Sequence, residues 1–165
     1  MRILLLVVTI AFIPMAARAQ QPQPADAGGA AAALKMFQTS ADVAAIVARA
    51  KAQPAQPLRV TPLFQSAPYT VNIEYRTAVA TAAVHETEAE LFYVVDGAGT
   101  FVIGGALSEP QRTNPQNLTG KAITGGTTQK VAKGDFMWVP AGSPHWFSAI
   151  DGSVTLMSVH LPKQP

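Results

Sequence analysis

From Leu58 onward, apolar residues recur with a period of two instead of 3.6, and turn residues interrupt the pattern about every ten positions. The alternation runs through nine short segments, at 59–64, 69–77, 81–85, 90–96, 100–103, 129–132, 136–140, 145–150 and 154–161. Asp96-Gly97, Gly104-Gly105, Lys133-Gly134-Asp135, Ala141-Gly142-Ser143 and Asp151-Gly152 separate most of them. Only one helix is indicated alongside these many short strands. The pattern predicts an all-β chain folded as a sandwich or small barrel. The stretch 107–128 is polar and holds Pro110, Pro115, Gly125 and Gly126. It is read as a long excursion between strands, either a lid or disordered.

One helix precedes the strands. Thr39 or Ser40 can cap it, Asp42 favours the dipole of its first turn, and Val43, Ile46 and Val47 give it one apolar face over 41–51. Pro54 and Pro57 end it, so 39–57 is expected to be a helix and linker packed outside the main body, with 58–165 the β domain. Residues 20–38 mix Gln, Pro, Ala and Gly without periodicity and are expected to form a disordered leader.

The first nineteen residues read as an export signal. Arg2 starts it, an apolar run of eleven residues follows from Ile3 to Ile13, and Ala17-Arg18-Ala19 offers the small-x-small cleavage pattern. The run is well short of the ~20 residues that cross a bilayer, so no stable membrane anchor is expected after cleavage behind Ala19. The periplasm is the expected destination. Removing Arg2 and Arg18 leaves ten basic groups against ten acidic ones, which gives no broad electrostatic reason to bind nucleic acid. The absence of cysteine excludes a disulfide framework, a thiolate nucleophile and any Cys-based zinc site.

The chemistry-bearing residues fall in two stretches. Along 85–97, alternation puts Glu90, Phe92 and Val94 on one strand face, so an inward Phe92 carries Glu90 inward with it. A carboxylate inside a barrel is costly unless a cation or hydrogen-bond donors satisfy it. Along 134–147, Gly134 enters a strand, Pro140 and Gly142 turn the chain back, and His145 opens the next strand beside Phe147.

The second stretch resembles the second signature of the cupins, G-x5-P-x-G-x2-H-x3-N, through Gly134, Pro140, Gly142 and His145, with Ala149 in place of the final Asn. The first resembles the family's H-x-H-x3–4-E-x6-G, with His85 at the second His, Glu90 at the Glu and Gly97 at the Gly. Ala83 stands where the first His belongs; taking His85 as the first His puts Thr87 second, with the spacing to Glu90 one short. The opening Gly of that signature is absent. The resemblance spans 69–161.

The resemblance implies a double-stranded β-helix, or jelly-roll barrel, in which His85, Glu90 and His145 hold one divalent metal ion (Fe, Mn, Ni or Zn). That is one His fewer than family members usually present. Two imidazoles and a carboxylate still leave about three coordination positions open. Thr87 is then a weak oxygen ligand or a water-orienting group. Glu88, placed in a turn, is a candidate base or a fourth ligand. Phe92, Trp138 and Phe147, with Phe136, are read as core aromatics or as walls of a pocket for an apolar ligand. Arg76 is either a carboxylate clamp or a solvated strand end. His160 matches neither signature and is read as structural or exposed. Asn117-Leu118-Thr119 forms a glycosylation sequon that counts only in a eukaryotic secretory route.

Two functions follow as expectations. One is a metal-dependent cupin acting on a small organic molecule by oxygenation, isomerisation or decarboxylation. The alternative is a non-catalytic periplasmic module that captures a small ligand or a metal; a metal-free barrel used only for association is a third. Whether the chain is an enzyme stays open at this point, since one fold hosts all three. The resemblance also implies homodimerisation through outer strands.

Overall fold

A computed structural model describes residues 37–162. The expected export signal and nearly all of the expected leader lie outside the described residues. Of the leader's last residues, Gln38 is tied down, its side-chain amide donating to the Leu63 carbonyl at 3.2 Å.

Helix α1 (Ser40–Ala52) begins with a capping box. Thr39 Oγ1 accepts from the Asp42 amide at 3.1 Å, and Asp42 Oδ2 accepts from the Thr39 amide at 2.9 Å. Ile46 and Ala50 are its buried face, and Ile46 packs on Leu63 and Ile73 of the hairpin formed by β1 (Leu58–Ser66) and β2 (Tyr69–Arg76). Covering that hairpin from outside has a consequence for the interior. With Ile73 taken by the helix, alternation turns Asn72, Glu74 and Arg76 of β2 the other way, and all three are buried.

The remaining strands are β3 (Ala82–His85), β4 (Glu88–Ile103), β5 (Ala106–Ser108), β6 (Gln111–Asn114), β7 (Asn117–Gly120), β8 (Ala122–Thr124), β9 (Thr127–Ala132), β10 (Phe136–Val139) and β11 (His145–Pro162). The main sheet runs β1-β2-β11-β3-β7-β6, and β4 pairs with β11, β9 and β10; β5 and β8 form a separate pair. Every ladder is antiparallel. This is a jelly roll with one helix outside, the form the resemblance implied and one of the sandwich or small-barrel folds the strand pattern predicted. Its core is built from inward residues of the central strands, among them Phe92, Val94, Phe101, Met137, Phe147 and Leu156.

Two expectations are corrected. The segments at 90–96 and 100–103 are a single strand, β4, and those at 145–150 and 154–161 are a single strand, β11. Asp96-Gly97 and Asp151-Gly152 have turn chemistry but do not reverse the chain. Gly97 lies opposite Val154 and Asp96 opposite Thr155, with a register irregularity between Ile150 and Val154. These are bulged bends inside a continuous ladder, a role that Gly and Asp fill as well as they fill hairpin turns. The excursion at 107–128 is also more ordered than a lid or a disordered loop. It contains β5 to β8, and β7 pairs with β3 from Ala82↔Gly120 to His85↔Asn117.

The bend makes a test of the fold. Gly97 has φ +82°, and a Cβ there would meet the Ser153 carbonyl oxygen at 2.0 Å, whereas Gly152 has φ +74° with open space around it. Gly152→Ala should cost about 1–2 kcal/mol, the left-handed backbone penalty alone. Gly97→Ala should cost distinctly more, because the backbone of β11 must also move. Urea denaturation of the two variants checks this, and equal losses would contradict the bulged pairing.

Candidate metal centre

Three imidazoles, one from β3 and two from β11, converge on one carboxylate of β4. Glu90 is only 2 % exposed, because its alternation partners Phe92 and Val94 are in the core. Its Oε2 lies 3.2 Å from His145 Nε2 and 3.6 Å from His85 Nε2. Its Oε1 lies 3.2 Å from His160 Nε2. The ligand atoms of His85, Glu90 and His145 all lie within 4.8 Å of one another, a set that could hold a metal ion.

Local sequence explains the convergence. The turn after β10 carries Gly142, whose φ is +78°, and its amide donates to the His85 carbonyl at 2.7 Å. That bond ties the end of β3 to the start of β11, where His145 pairs with Ala83. Behind them, Phe92 packs against the His145 ring with centroids 5.9 Å apart.

The hydrogen bonds of the two rings aim the same nitrogen inward. His145 Nδ1 faces the Ser143 carbonyl at 3.3 Å, and a carbonyl only accepts, so Nδ1 carries the proton. His85 Nδ1 is 2.8 Å from Asn117 Oδ1. In a neutral ring with Nδ1 protonated, Nε2 bears a lone pair. Both Nε2 atoms therefore present lone pairs toward a carboxylate oxygen, and Glu90 Oε2 is buried with no hydrogen bond of its own. Three acceptors with nothing donated between them are a mutually repulsive set, relieved either by a proton on one ring or by a metal cation among them. Two imidazole nitrogens and one carboxylate oxygen also suit a divalent ion of the transition series. The residues fit such an ion.

Of the two alternatives for His160, structural or exposed, the structure selects the first. The residue is half-buried inside the barrel: Leu156, Ser158 and His160 share the inward face of β11, and His160 lies opposite Glu90 in the ladder. Its Nδ1 is 3.1 Å from Glu88 Oε2, so both nitrogens face carboxylate oxygens, which requires both to be protonated. The Glu90 carboxylate beside it, with Glu88 adding and burial opposing, pushes its pKa up to about 9. Burial alone would raise the Glu90 pKa, but the His145 ring in its protonated form and the His160 imidazolium outweigh it and hold it at about 2.

The other expected site residues scatter. Thr87 is exposed in the turn between β3 and β4, because β3 ends at His85, so it is neither a ligand nor a pocket residue. Glu88 begins β4 and is engaged by His160, not free in a turn. Trp138 faces outward at 52 % exposure, as does Phe136, since Met137 and Val139 take the inward positions of β10. Phe92 and Phe147 are fully buried core residues behind the site. Arg76 is inside: it pairs with Glu74 at 2.7 Å and its guanidinium lies 4.9 Å from the Phe147 ring centre. Glu74 and Arg76 share with the three histidines and Glu90 a cavity of about 290 Å³, whose remaining walls include Leu58, Val60 and Ala83. Two participants were not assigned to the site by the sequence reading, Asn117 and Glu74. Asn117 lies in the sequon, but its amide oxygen is used by His85.

A family model described as Cupin matches residues 49–164. No curated protein matches the chain. Among solved structures, the cupin domain of Schizosaccharomyces pombe Cnp3 is 16 % identical with a TM-score of 0.50, over 70 % of this chain and 72 % of that one. TT1209 from Thermus thermophilus is 17 % identical with a TM-score of 0.48, over 70 % and 95 %. Ectoine synthase from P. lautus is 13 % identical with a TM-score of 0.47, over 68 % and 69 %. At such identities the likeness is one of fold.

The charges of the metal-free centre set a pH dependence. Glu90 is depressed from 4.5, so its contribution to stability is complete above 4.5 and is lost as pH falls toward about 2. His160 is raised from 6.5, so its contribution is complete below 6.5 and is lost as pH rises through about 9. In metal-stripped protein, the stability difference between wild type and Glu90→Gln should be largest between these limits and shrink on both sides. Urea denaturation across the range checks this; a difference that grows from pH 6.5 to 9 would contradict the assigned charges.

Proposed function

Because this chain belongs to the cupin family, we propose that it holds a divalent metal ion on His85, Glu90 and His145 and acts on a small organic molecule in the adjoining cavity. The observation that supports this most is the buried Glu90 Oε2, unserved by any hydrogen bond and faced by two imidazole nitrogens. Bound there, an ion of the Fe, Mn, Ni or Zn class supplies Lewis acidity toward a ligand oxygen. The chain's own residues do the rest. Leu58, Val60 and Ala83 offer apolar walls, and Glu74 holds Arg76 in place as a donor to a polar group of the ligand. A cavity of about 290 Å³ suits a molecule of modest size. The export pattern of the first nineteen residues assigns this activity, in our reading, to the periplasm.

One observation favours the non-catalytic alternative. Glu88, the candidate base, is turned to His160 and does not line the cavity, so among the described residues the carboxylates lining it are those of Glu90 and the Glu74–Arg76 pair. Metal analysis and a substrate screen separate the two readings. Gently purified wild type should carry about one equivalent of divalent metal, and His145→Ala should weaken its retention by ~100-fold or more, since it removes a ligand and not merely an outer partner. Turnover of phenols, keto acids or sugars, lost in the same variant, identifies an enzyme; ligand capture without product identifies the binding module. Wild type that binds neither metal nor ligand contradicts both.

A further inference from the structure

We infer that His160 is a positioning residue for the metal site, one that clamps Glu90 so that a single carboxylate oxygen faces His85 and His145. This rests on the metal-binding reading above and adds to it a part that neither cupin signature contains. His160 sits opposite Glu90 in the β4–β11 ladder, where facing side chains are direct neighbours. Glu90 divides its oxygens: Oε2 toward His145 and His85 at 3.2 and 3.6 Å, Oε1 toward His160 Nε2 at 3.2 Å. The other nitrogen of the same ring is anchored 3.1 Å from Glu88 Oε2. Glu88 precedes Glu90 by two residues on β4, so both carboxylates lie on one strand face and a single imidazole spans them. The ring edge also packs on His85, with centroids 5.2 Å apart, which fixes its plane.

Two consequences follow. With both nitrogens committed to carboxylates, His160 has none to offer an ion, so it acts through Glu90 and is not itself a ligand. With Oε1 held, Glu90 binds through Oε2 alone. The small side chain at Ala83, which lines the cavity where the first signature would supply another imidazole, leaves the centre with one fewer fixed donor. Orienting the one carboxylate from the last strand offsets that loss, as hydrogen-bonded outer partners of metal ligands do elsewhere.

Two probes test this on the full exported chain: Co²⁺ titration followed by visible absorption, and pulsed EPR of the Cu²⁺-loaded protein, which counts bound imidazoles through their remote nitrogens. Wild type and His160→Ala should both show two imidazoles, while Co²⁺ affinity falls roughly 10–100-fold in His160→Ala. His160→Gln, whose amide can still donate to Glu90, should recover part of the loss. Glu88→Ala, at a partly exposed side chain, releases the clamp from its other end and should lower Co²⁺ affinity a few-fold without changing the imidazole count. A third imidazole in wild type that vanishes in His160→Ala would make His160 a ligand and overturn the inference. So would undiminished Co²⁺ affinity in both His160→Ala and Glu88→Ala while wild type binds the ion normally. Wild type that binds neither ion overturns the metal reading itself, a result distinct from those two.

Discussion

A carboxylate only 2 % exposed in the interior of a β barrel is the constraint around which this molecule is arranged. Taking such a group out of water costs several kcal/mol, and the cost is met only where positive charge or donors reach its oxygens. Glu90 has one oxygen beside the His160 imidazolium and the other beside two imidazoles whose inward nitrogens are acceptors when neutral. The first oxygen is served by the protein. The second has no hydrogen bond among the described residues, which leaves a place between it and the two imidazoles where a cation could bind.

The fold supplies the convergence through bent strands. His145 and His160 stand near the two ends of β11, fifteen residues apart, yet each lies 3.2 Å from an oxygen of the same carboxylate. A straight strand would separate them by about 50 Å. The bulged bend near Asp151-Gly152, paired with the one at Asp96-Gly97, allows the strand to curl around the barrel and return. Helix α1 contributes from outside by taking Ile73, which leaves β2 to turn Glu74 and Arg76 into the cavity. The stability of the shell and the polarity of the interior are therefore set by one alternation.

Much of this was legible in the sequence, for identifiable reasons. The period-two pattern, the Thr39–Asp42 cap and the Gly134-to-His145 spacing are local, and local signals survive into the structure. The pairing of Phe92 with Glu90 on one face likewise placed the carboxylate inside. What escaped depends on contacts between distant segments. His160 lies seventy residues from Glu90, and its inward face follows from the register of β11 against β4, which no single-strand pattern contains. Asn117 reaches His85 only because the supposed excursion pairs with β3. The aromatic character of Trp138 suits a core or a pocket wall, but Met137 and Val139 hold the inward positions of that short strand. Asp96-Gly97 and Asp151-Gly152 read as reversals because the same backbone freedom serves a hairpin and a bulge.

The central claim concerns where an ion sits, and anomalous diffraction from crystals of the metal-loaded protein addresses it most directly. The account predicts one strong peak about 2.0–2.3 Å from His85 Nε2, His145 Nε2 and Glu90 Oε2, with Glu90 Oε1 still turned to His160. A peak at another group of residues, or full metal loading with no peak between these three atoms, would contradict it.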